Sequence, residues 1–250
     1  MLAAAHIPLG QLVLVAGVAL IASMVGGVAG YGTGALMPLV LVPMVGAEPV
    51  VPIVAISALL TNTGRATAFR ASIDGHRTAI VLLAAIPTCV LSAYGYTKLT
   101  SAGAMLVVGA MLTSTVPLRY FLKHRAIRLG KRGLIVGAVG YGAAVGGTVG
   151  AGIILLSILM AAGLEGASVV ATDAAISIGI GIVRLAVFGV TGAVTAQVLA
   201  FALLIGLVAF PGAFLAKTLV ERMPIHLHTA ILDAVVLVGG ASLVIGALAR

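Results

Sequence analysis

The stretch Gly30-Tyr31-Gly32-Thr33-Gly34 interrupts a chain that is otherwise apolar enough to lie in a lipid bilayer. A second glycine-rich stretch, Gly-Gly-Thr-Val-Gly-Ala-Gly at residues 146–152, interrupts the other half of the chain. Each stretch is followed by a short apolar run, at residues 35–46 and 153–163. Paired interruptions in corresponding halves of a membrane protein are typical of the substrate site of a transporter.

The composition predicts an all-α integral membrane protein. Of its 250 residues, 62% are hydrophobic and only 8% are charged, whereas a soluble domain is about 25% charged and about half apolar. A soluble fold of this size cannot bury so much apolar surface, so the solvent must be lipid. The apolar runs are long and continuous rather than alternating, which favours helices over a β-barrel.

We predict ten helical segments, of which eight are long enough to cross a hydrocarbon core of about 30 Å. The second and seventh segments, of about twelve residues, rise only ~18 Å. They complete a crossing only if the glycine-rich stretches add extended backbone at membrane depth, which is tolerated only inside protein or along a wet cavity. The short segments therefore predict a cavity. The segments are residues 9–29, 35–46, 48–70, 78–97, 101–119, 133–149, 152–163, 167–189, 194–217 and 226–249.

The two halves of the chain resemble each other in residues that recur in the same order. Five segments in each half, an odd number, would insert the second half upside down relative to the first. We therefore predict two inverted repeats in a single transmembrane domain, with residues 1–119 as the first, 133–250 as the second and 120–132 as a basic connection. The matches are Gly32 and Gly34 with Gly150 and Gly152, Glu48 with Glu165, residues 55–57 with 175–177, Arg65 with Arg184, Phe69 with Phe188, Pro87 with Pro211 and Lys98 with Arg222.

The net charge of +8 is concentrated in the connection between the halves. Because basic residues favour the cytoplasmic side, we place this connection inside the cell and both termini outside, in a multi-pass protein of the cell (inner) membrane. No nucleic-acid-binding motif accompanies the charge. We expect a small anionic substrate and the lipid bilayer as partners, with no nucleic acid, and homo-oligomers are left open. The basic residues here are Arg119, Lys123, Arg125, Arg128, Lys131 and Arg132.

The glycine-rich stretches are the predicted binding site. The helix that begins after each stretch has first N–H groups without intrahelical partners, and these groups attract anions together with the helix dipole. Thr33 and Thr148 add hydroxyl groups. The alternative is close helix packing through Gly26-x-x-x-Gly30 and Gly142-x-x-x-Gly146-x-x-x-Gly150. The predicted residues of the two stretches are Gly30, Gly32, Thr33, Gly34, Ala35, Thr148, Gly150, Ala151 and Gly152.

Four ionisable residues lie inside the predicted spans, namely Arg65, Asp173, Arg184 and Asp233. A charge at the bilayer centre costs at least ~2.5–3.5 kcal/mol, so such residues face partners or water. We predict that Arg65 and Arg184 attract the substrate, the alternative being that their guanidinium groups reach the headgroups. Asp173 and Asp233 are candidates for proton coupling, although pairing with Arg65 would make Asp173 structural. Asn62 is a candidate for substrate contact or for a helix-to-helix hydrogen bond.

No set of residues predicts catalysis, a metal or a cofactor. His226-x-His228 places its two side chains on different helix faces, which argues against a metal pair. The sequence holds no zinc-protease motif, no nucleophile elbow and no cluster of catalytic carboxylates. We therefore expect neither an enzyme nor a bound cofactor.

The residues also resemble a known family. The stretch Gly30-x-Gly32-x-Gly34-x-x-x-Pro38, its echo at Gly150-x-Gly152 and the duplicated halves are similar to the sulfite exporter TauE/SafE family, also called the 4-toluene sulfonate uptake permease family. The resemblance covers nearly the whole chain. It implies a polytopic plasma-membrane transporter of small sulfur-containing anions such as sulfite and sulfonates. In the family, consecutive glycines are followed by a proline. This chain departs from that pattern at four positions, which are Thr33, Val149, Ala151 and Leu156.

The sequence thus predicts a secondary transporter for a small anion, most specifically sulfite or an organosulfonate. The site lies between the two repeats, alternating access comes from one bundle rocking against the other, and proton coupling is a further expectation. The alternatives are an anion channel and a membrane scaffold protein that transports nothing. The absence of a catalytic set disfavours an intramembrane enzyme.

Overall fold

The chain is built of α-helices, as its composition predicts. The computed structural model describes residues 9–29, 32–124, 128–220 and 225–249, and these contain ten α-helices, one 3-10 turn at Arg70–Ser72 and no strand. The all-α membrane-type fold is therefore confirmed. The helices are α1 (Leu9–Ala29), α2 (Gly32–Val45), α3 (Val50–Ala68), α4 (Gly75–Tyr96), α5 (Ser101–His124), α6 (Lys131–Gly146), α7 (Gly152–Ala161), α8 (Ala167–Val190), α9 (Ala196–Val220) and α10 (Ile225–Leu248).

Most boundaries agree with the predicted segments, and two differ in an informative way. The second segment begins at Gly32 rather than residue 35, so Thr33 and Gly34 lie in the first turn of α2 instead of in the break. Glycine accepts many backbone conformations, so a glycine-rich stretch does not by itself fix the residue at which a helix begins. The fifth segment continues to His124 and α6 begins at Lys131, so the basic connection includes the ends of both helices.

Within the described part of the chain, four helices are long and apolar enough to cross a membrane, by length and composition. They are α3, α4, the Ser101–Leu118 part of α5, and α8. The helices α1, α9 and α10 have 21, 25 and 24 residues, and the short α2 and α7 have 14 and 10. Ten helical residues rise only about 15 Å, half of a hydrocarbon core. The short α7 therefore ends or begins at membrane depth.

The principal helix pairs keep their pattern when the two halves are exchanged. The pair of α1 with α9 corresponds to α6 with α4, and the pair of α3 with α9 corresponds to α8 with α4. The pairs of α2 with α1, α3 and α10 correspond to those of α7 with α6, α8 and α5, while α3–α8 and α5–α10 map onto themselves. Helix α4 of the first half packs on α6 and α8 of the second, so the halves interlock. Two halves related by a two-fold axis would pack in this way, which supports our prediction of a repeat.

Helix α4 shows that the two short helices run in opposite directions. Near its C-terminal end, the Tyr96 hydroxyl donates to the carbonyl of Ala47, just after α2, over 2.7 Å. Near its N-terminal end, the Arg77 guanidinium donates to the carbonyl of Ala162, just after α7, over 2.8 Å. Helices α2 and α7 therefore end at opposite ends of α4. Their beginnings meet, since a Cβ added to Gly34 would stand 3.4 Å from the amide nitrogen of Gly150.

Candidate functional site

A cavity of about 160 Å³ lies where the two short helices begin. Its walls come from both halves of the chain, mainly from the starts of α2 and α7 and from the facing sides of α3 and α8. A cavity of this volume accommodates a small polyatomic ion and some of its hydration water. The cavity that the short segments predict is therefore present, and it lies at the predicted place.

The second glycine-rich stretch forms an irregular wall of this cavity. Residues 147–151 are not helical, Gly150 has a φ of +81°, and α7 begins at Gly152. The first hydrogen bond of the new helix runs from the Ile154 N–H to the Ala151 carbonyl, at 3.0 Å. Within the described chain, the N–H groups of residues 150–153 have no hydrogen-bond acceptor. The break therefore presents backbone donors and the positive end of a helix dipole.

The first stretch contributes Thr33 and Gly34 to the same cavity. Gly32 begins α2, and Ala35 is fully buried without lining the cavity. Gly30 lies outside the described residues. The two glycine-rich stretches are thus brought together, as the sequence predicts, although only part of the first can be placed.

The Thr148 hydroxyl, which we expected to donate to the substrate, is used within the protein. Its hydroxyl donates to the carbonyl of Ala144, one turn back in α6, so its proton does not point toward the cavity. Its backbone carbonyl instead accepts a hydrogen bond from Arg184 Nη2 at 3.0 Å. Thr148 therefore holds the break to α8 and positions Arg184.

Arg184 places a buried positive charge at the cavity. It is 6% exposed, so its guanidinium does not reach a membrane surface. Its Nε is buried and has no hydrogen-bond partner among the described residues, and its Cζ lies 5.8 Å from the centre of the Phe188 ring. Among the described residues, Arg184 forms no ion pair with a carboxylate. A buried cation without a counter-charge is costly unless an anion joins it.

Arg65, the corresponding residue of α3, lines the same cavity but is paired. Its Nη2 lies 3.1 Å from Asp173 Oδ2 and its Nη1 donates to Asn62 Oδ1 at 3.1 Å. The Asn62 amide in turn donates to the Ala58 carbonyl at 2.9 Å, so Asn62 orients Arg65. Asp173 is 3% exposed, and its Oδ1 has no partner in the described structure. The pairing of Asp173 with Arg65 agrees with the structural alternative, and a proton role for Asp173 stays a prediction.

Other predicted residues lie away from the cavity or outside the description. Asp233 is buried in α10 and does not line the cavity. The side chains of His226 and His228 lie outside the described residues. Four polar side chains of the lining are absent from the predicted site, and they belong to Ser23, Thr61, Tyr141 and Ser177. The repeat could have found two of them, because Ser23 and Tyr141 differ by 118 residues, as Gly34 and Gly152 do.

The packing alternative holds for a different part of the second stretch. A Cβ on Gly142 would collide with the Ala85 carbonyl of α4, and one on Gly146 would collide with the Ser92 hydroxyl. These two glycines let α6 approach α4 closely. Gly150 has positive φ and lines the cavity instead. The glycines of one motif thus divide between packing and the cavity wall.

A polar cluster ties α7 and α8 to the start of α4. The Asp74 carboxylate accepts hydrogen bonds from the backbone N–H and the guanidinium of Arg77, and the Asp74 N–H donates to Thr172 Oγ1 at 3.0 Å. The bond from the Arg77 N–H is the main reason why the pKa of Asp74 lies below its ordinary value of 3.8, and the guanidinium adds to the effect. Arg77 also binds the Ala162 carbonyl, at the end of α7.

The helices are those of a polytopic membrane protein, and two arginines and one aspartate line its cavity. The sequence model of one family, Sulfite exporter TauE/SafE, matches residues 15–243, which is nearly the whole chain. The chain therefore belongs to the sulfite exporter TauE/SafE family and is a membrane transport protein. No curated protein and no solved structure matches it.

Proposed function

We propose that this protein is a secondary transporter that carries a small anion, sulfite or an organosulfonate, across the cell membrane. The observation that carries the proposal is the junction of α7 with Arg184. Unpartnered backbone N–H groups at the start of α7 and a buried guanidinium without a carboxylate border one cavity. Both kinds of group form charge-assisted hydrogen bonds with sulfonyl oxygens.

An anion would satisfy groups that the protein leaves without partners. In the described chain, the buried Nε of Arg184 and the N–H groups of residues 150–153 have no acceptor within the protein. Their desolvation is costly unless each finds an acceptor. A tetrahedral anion offers several acceptor oxygens and one negative charge at once, which fits this set better than a neutral molecule does.

The opposed short helices support a carrier with alternating access. Helices α2 and α7 begin at the cavity and end at opposite ends of α4, where Tyr96 and Arg77 hold them. Movement of one bundle against the other would loosen one of these ties while keeping the second. Coupling to protons belongs to the same proposal, with Asp173 as the carboxylate that lines the cavity.

The proposal is tested with purified protein in liposomes. We expect external methanesulfonate or sulfite to exchange with internal labelled anion, to saturate, and to accumulate when a proton gradient is imposed. Arg184→Ala should abolish the flux, whereas Arg128→Ala, which removes an exposed arginine outside the cavity, should retain it. Saturation without accumulation under any ion gradient would indicate a channel. Absence of anion binding in the folded wild type would overturn the proposal.

A further inference from the structure

We infer that the cavity selects singly charged anions, because Asp173 neutralises one of its two arginines. The inference rests on the proposed function and specifies the charge of the substrate. Among the described residues that line the cavity, only Arg65, Arg184 and Asp173 are charged. The Arg65–Asp173 pair is neutral as a unit, so a single positive charge remains, on Arg184.

The remaining charge is also the one with unused hydrogen-bonding capacity. Arg65 is bound by Asp173 and Asn62, whereas Arg184 has a single hydrogen bond, to the Thr148 carbonyl, among the described residues. A carbonyl leaves the charge of Arg184 in place. A monoanion would bring the summed charge of the lining residues and the ligand to zero. A dianion would leave one negative charge without a counter-ion beside the buried side chains of Arg184 and Asp173, and an unpaired charge among such groups is disfavoured.

The correspondence between the halves shows where this asymmetry arises. The offset of 119 residues that relates Arg65 to Arg184 also relates Val54 to Asp173, and all four line the cavity. Arg65 of α3 meets the Asp173 carboxylate of α8, while the offset between the halves assigns Val54 as the counterpart of Asp173 for Arg184. The scaffold offers two equivalent arginine positions, and one carboxylate removes one of them. Further lining pairs with this offset are Ala58 with Ser177, Thr61 with Ile180 and Asn62 with Gly181.

A comparison of methanesulfonate with sulfate tests the charge selection. Both are small tetrahedral anions, and sulfate carries one more negative charge than methanesulfonate. We expect wild-type protein to bind methanesulfonate at least about tenfold more tightly than sulfate, since the second charge stays unpaired. Isothermal titration at neutral pH measures both constants. Asp173→Asn should narrow or reverse the preference by about tenfold or more, because it frees the charge of Arg65 and leaves two positive charges, which a dianion balances.

Val54→Asp is the complementary variant. It should place a carboxylate opposite Arg184 and weaken methanesulfonate binding at least about tenfold. Val54→Asn is the matched control, since it has the same shape without the charge, and it should change binding far less. The double variant Val54→Asp/Asp173→Asn exchanges the two sites and should recover the wild-type preference, even if one single variant folds poorly.

Three outcomes separate this inference from the proposed function. Wild-type protein that binds methanesulfonate and sulfate equally well overturns charge selection and leaves anion transport standing. The same holds if Asp173→Asn is folded, judged by its elution and melting profile, and keeps the wild-type preference. Folded wild-type protein that binds neither these anions nor sulfite overturns the proposed function itself.

Discussion

Arg65 and Arg184 occupy corresponding positions in the two halves of the chain, and their surroundings differ. The Arg65 side chain is 27% exposed, and its Nη2 lies 3.1 Å from Asp173 Oδ2. Its Nη1 donates a hydrogen bond to Asn62 Oδ1, which orients the guanidinium. Arg184 is buried, touches the carbonyl of Thr148 and leaves its Nε without a partner in the described chain. The comparison shows that corresponding positions of the two halves each bring an arginine to the cavity. The difference between their surroundings comes from Asp173, which is not repeated, and we propose that this residue decides which arginine binds the anion.

The strongest test replaces each arginine by alanine. Arg184→Ala should weaken methanesulfonate binding at least about 30-fold, because truncating one partner of a buried charge pair costs roughly 2–5 kcal/mol. Its melting temperature without anion should not fall, since a buried cation without a counter-charge is removed. Arg65→Ala should instead lower stability by about 1–3 kcal/mol, because it strands the buried carboxylate of Asp173.

Thermal unfolding in detergent, with and without methanesulfonate, measures both effects. A ligand that binds the native state raises the melting temperature by mass action. The stabilisation by anion should vanish in Arg184→Ala and persist in the double variant Arg65→Ala/Asp173→Asn, which keeps one net positive charge on Arg184. Loss of binding in the folded double variant, with binding retained in Arg184→Ala, would contradict the difference that we draw between the two arginines.

The glycines allow a second comparison, between the packing part and the cavity part of the breaks. Gly142→Ala should destabilise the protein by about 1–3 kcal/mol, because the new Cβ meets the backbone of Ala85 and the helices must separate. In Gly34→Val, the new Cβ stands at ordinary contact distance from the Gly150 backbone. The two methyl groups of the valine would occupy space at the cavity that Gly34 lines. It should therefore weaken anion binding about tenfold or more with a smaller loss of stability.

These two variants are compared in one experiment, with melting temperature and methanesulfonate affinity measured for each. Gly34→Ala serves as the milder control, since it adds only the Cβ, 3.4 Å from Gly150 N. Equal losses of affinity and stability in both positions would mean that Gly34 is a packing residue like Gly142.

Local pattern was enough to predict the elements but not all of the site. The apolar runs and glycines predicted ten helices and two opposed breaks, because helix length and interruption are local properties of the chain. The Arg65–Asp173 pair was one of two alternatives for Asp173 that the sequence left open, and the similar depth of the two residues suggested it. The contact of Arg184 with the Thr148 carbonyl, and the unpartnered hydroxyl of Ser23 in the described structure, depend on how interlocked helices pack. That packing has no signature within a single segment.

The hydrogen bonds at the two ends of α4, from Tyr96 to Ala47 and from Arg77 to Ala162, allow a comparison with smaller expected effects. Tyr96→Phe removes the hydrogen bond to the Ala47 carbonyl and should cost about 1 kcal/mol, since the buried carbonyl loses its donor. Arg77→Ala releases the Ala162 carbonyl, at a cost of similar or smaller size because Arg77 is partly exposed. Hydrogen exchange should rise after α2 in the first variant and after α7 in the second. A change at both ends in either variant would show that the ties are not independent.

Acid should affect only one of these ties, and this is the smallest effect that we expect. The folded state lowers the pKa of Asp74 below its ordinary value of 3.8, chiefly through the Arg77 N–H. The unfolded chain therefore binds more protons in this window, and stability rises with pH there. The contribution of Asp74 is complete above its ordinary pKa and is lost as pH falls through the lowered one.

Asp74→Asn should melt with a weaker dependence on pH below 3.8 than wild-type protein, with faster hydrogen exchange after α7 already at neutral pH. Exchange after α2 should not change, because the tie between Tyr96 and Ala47 contains no carboxylate. An identical acid profile in the two proteins would mean that Asp74 does not stabilise this end of the molecule.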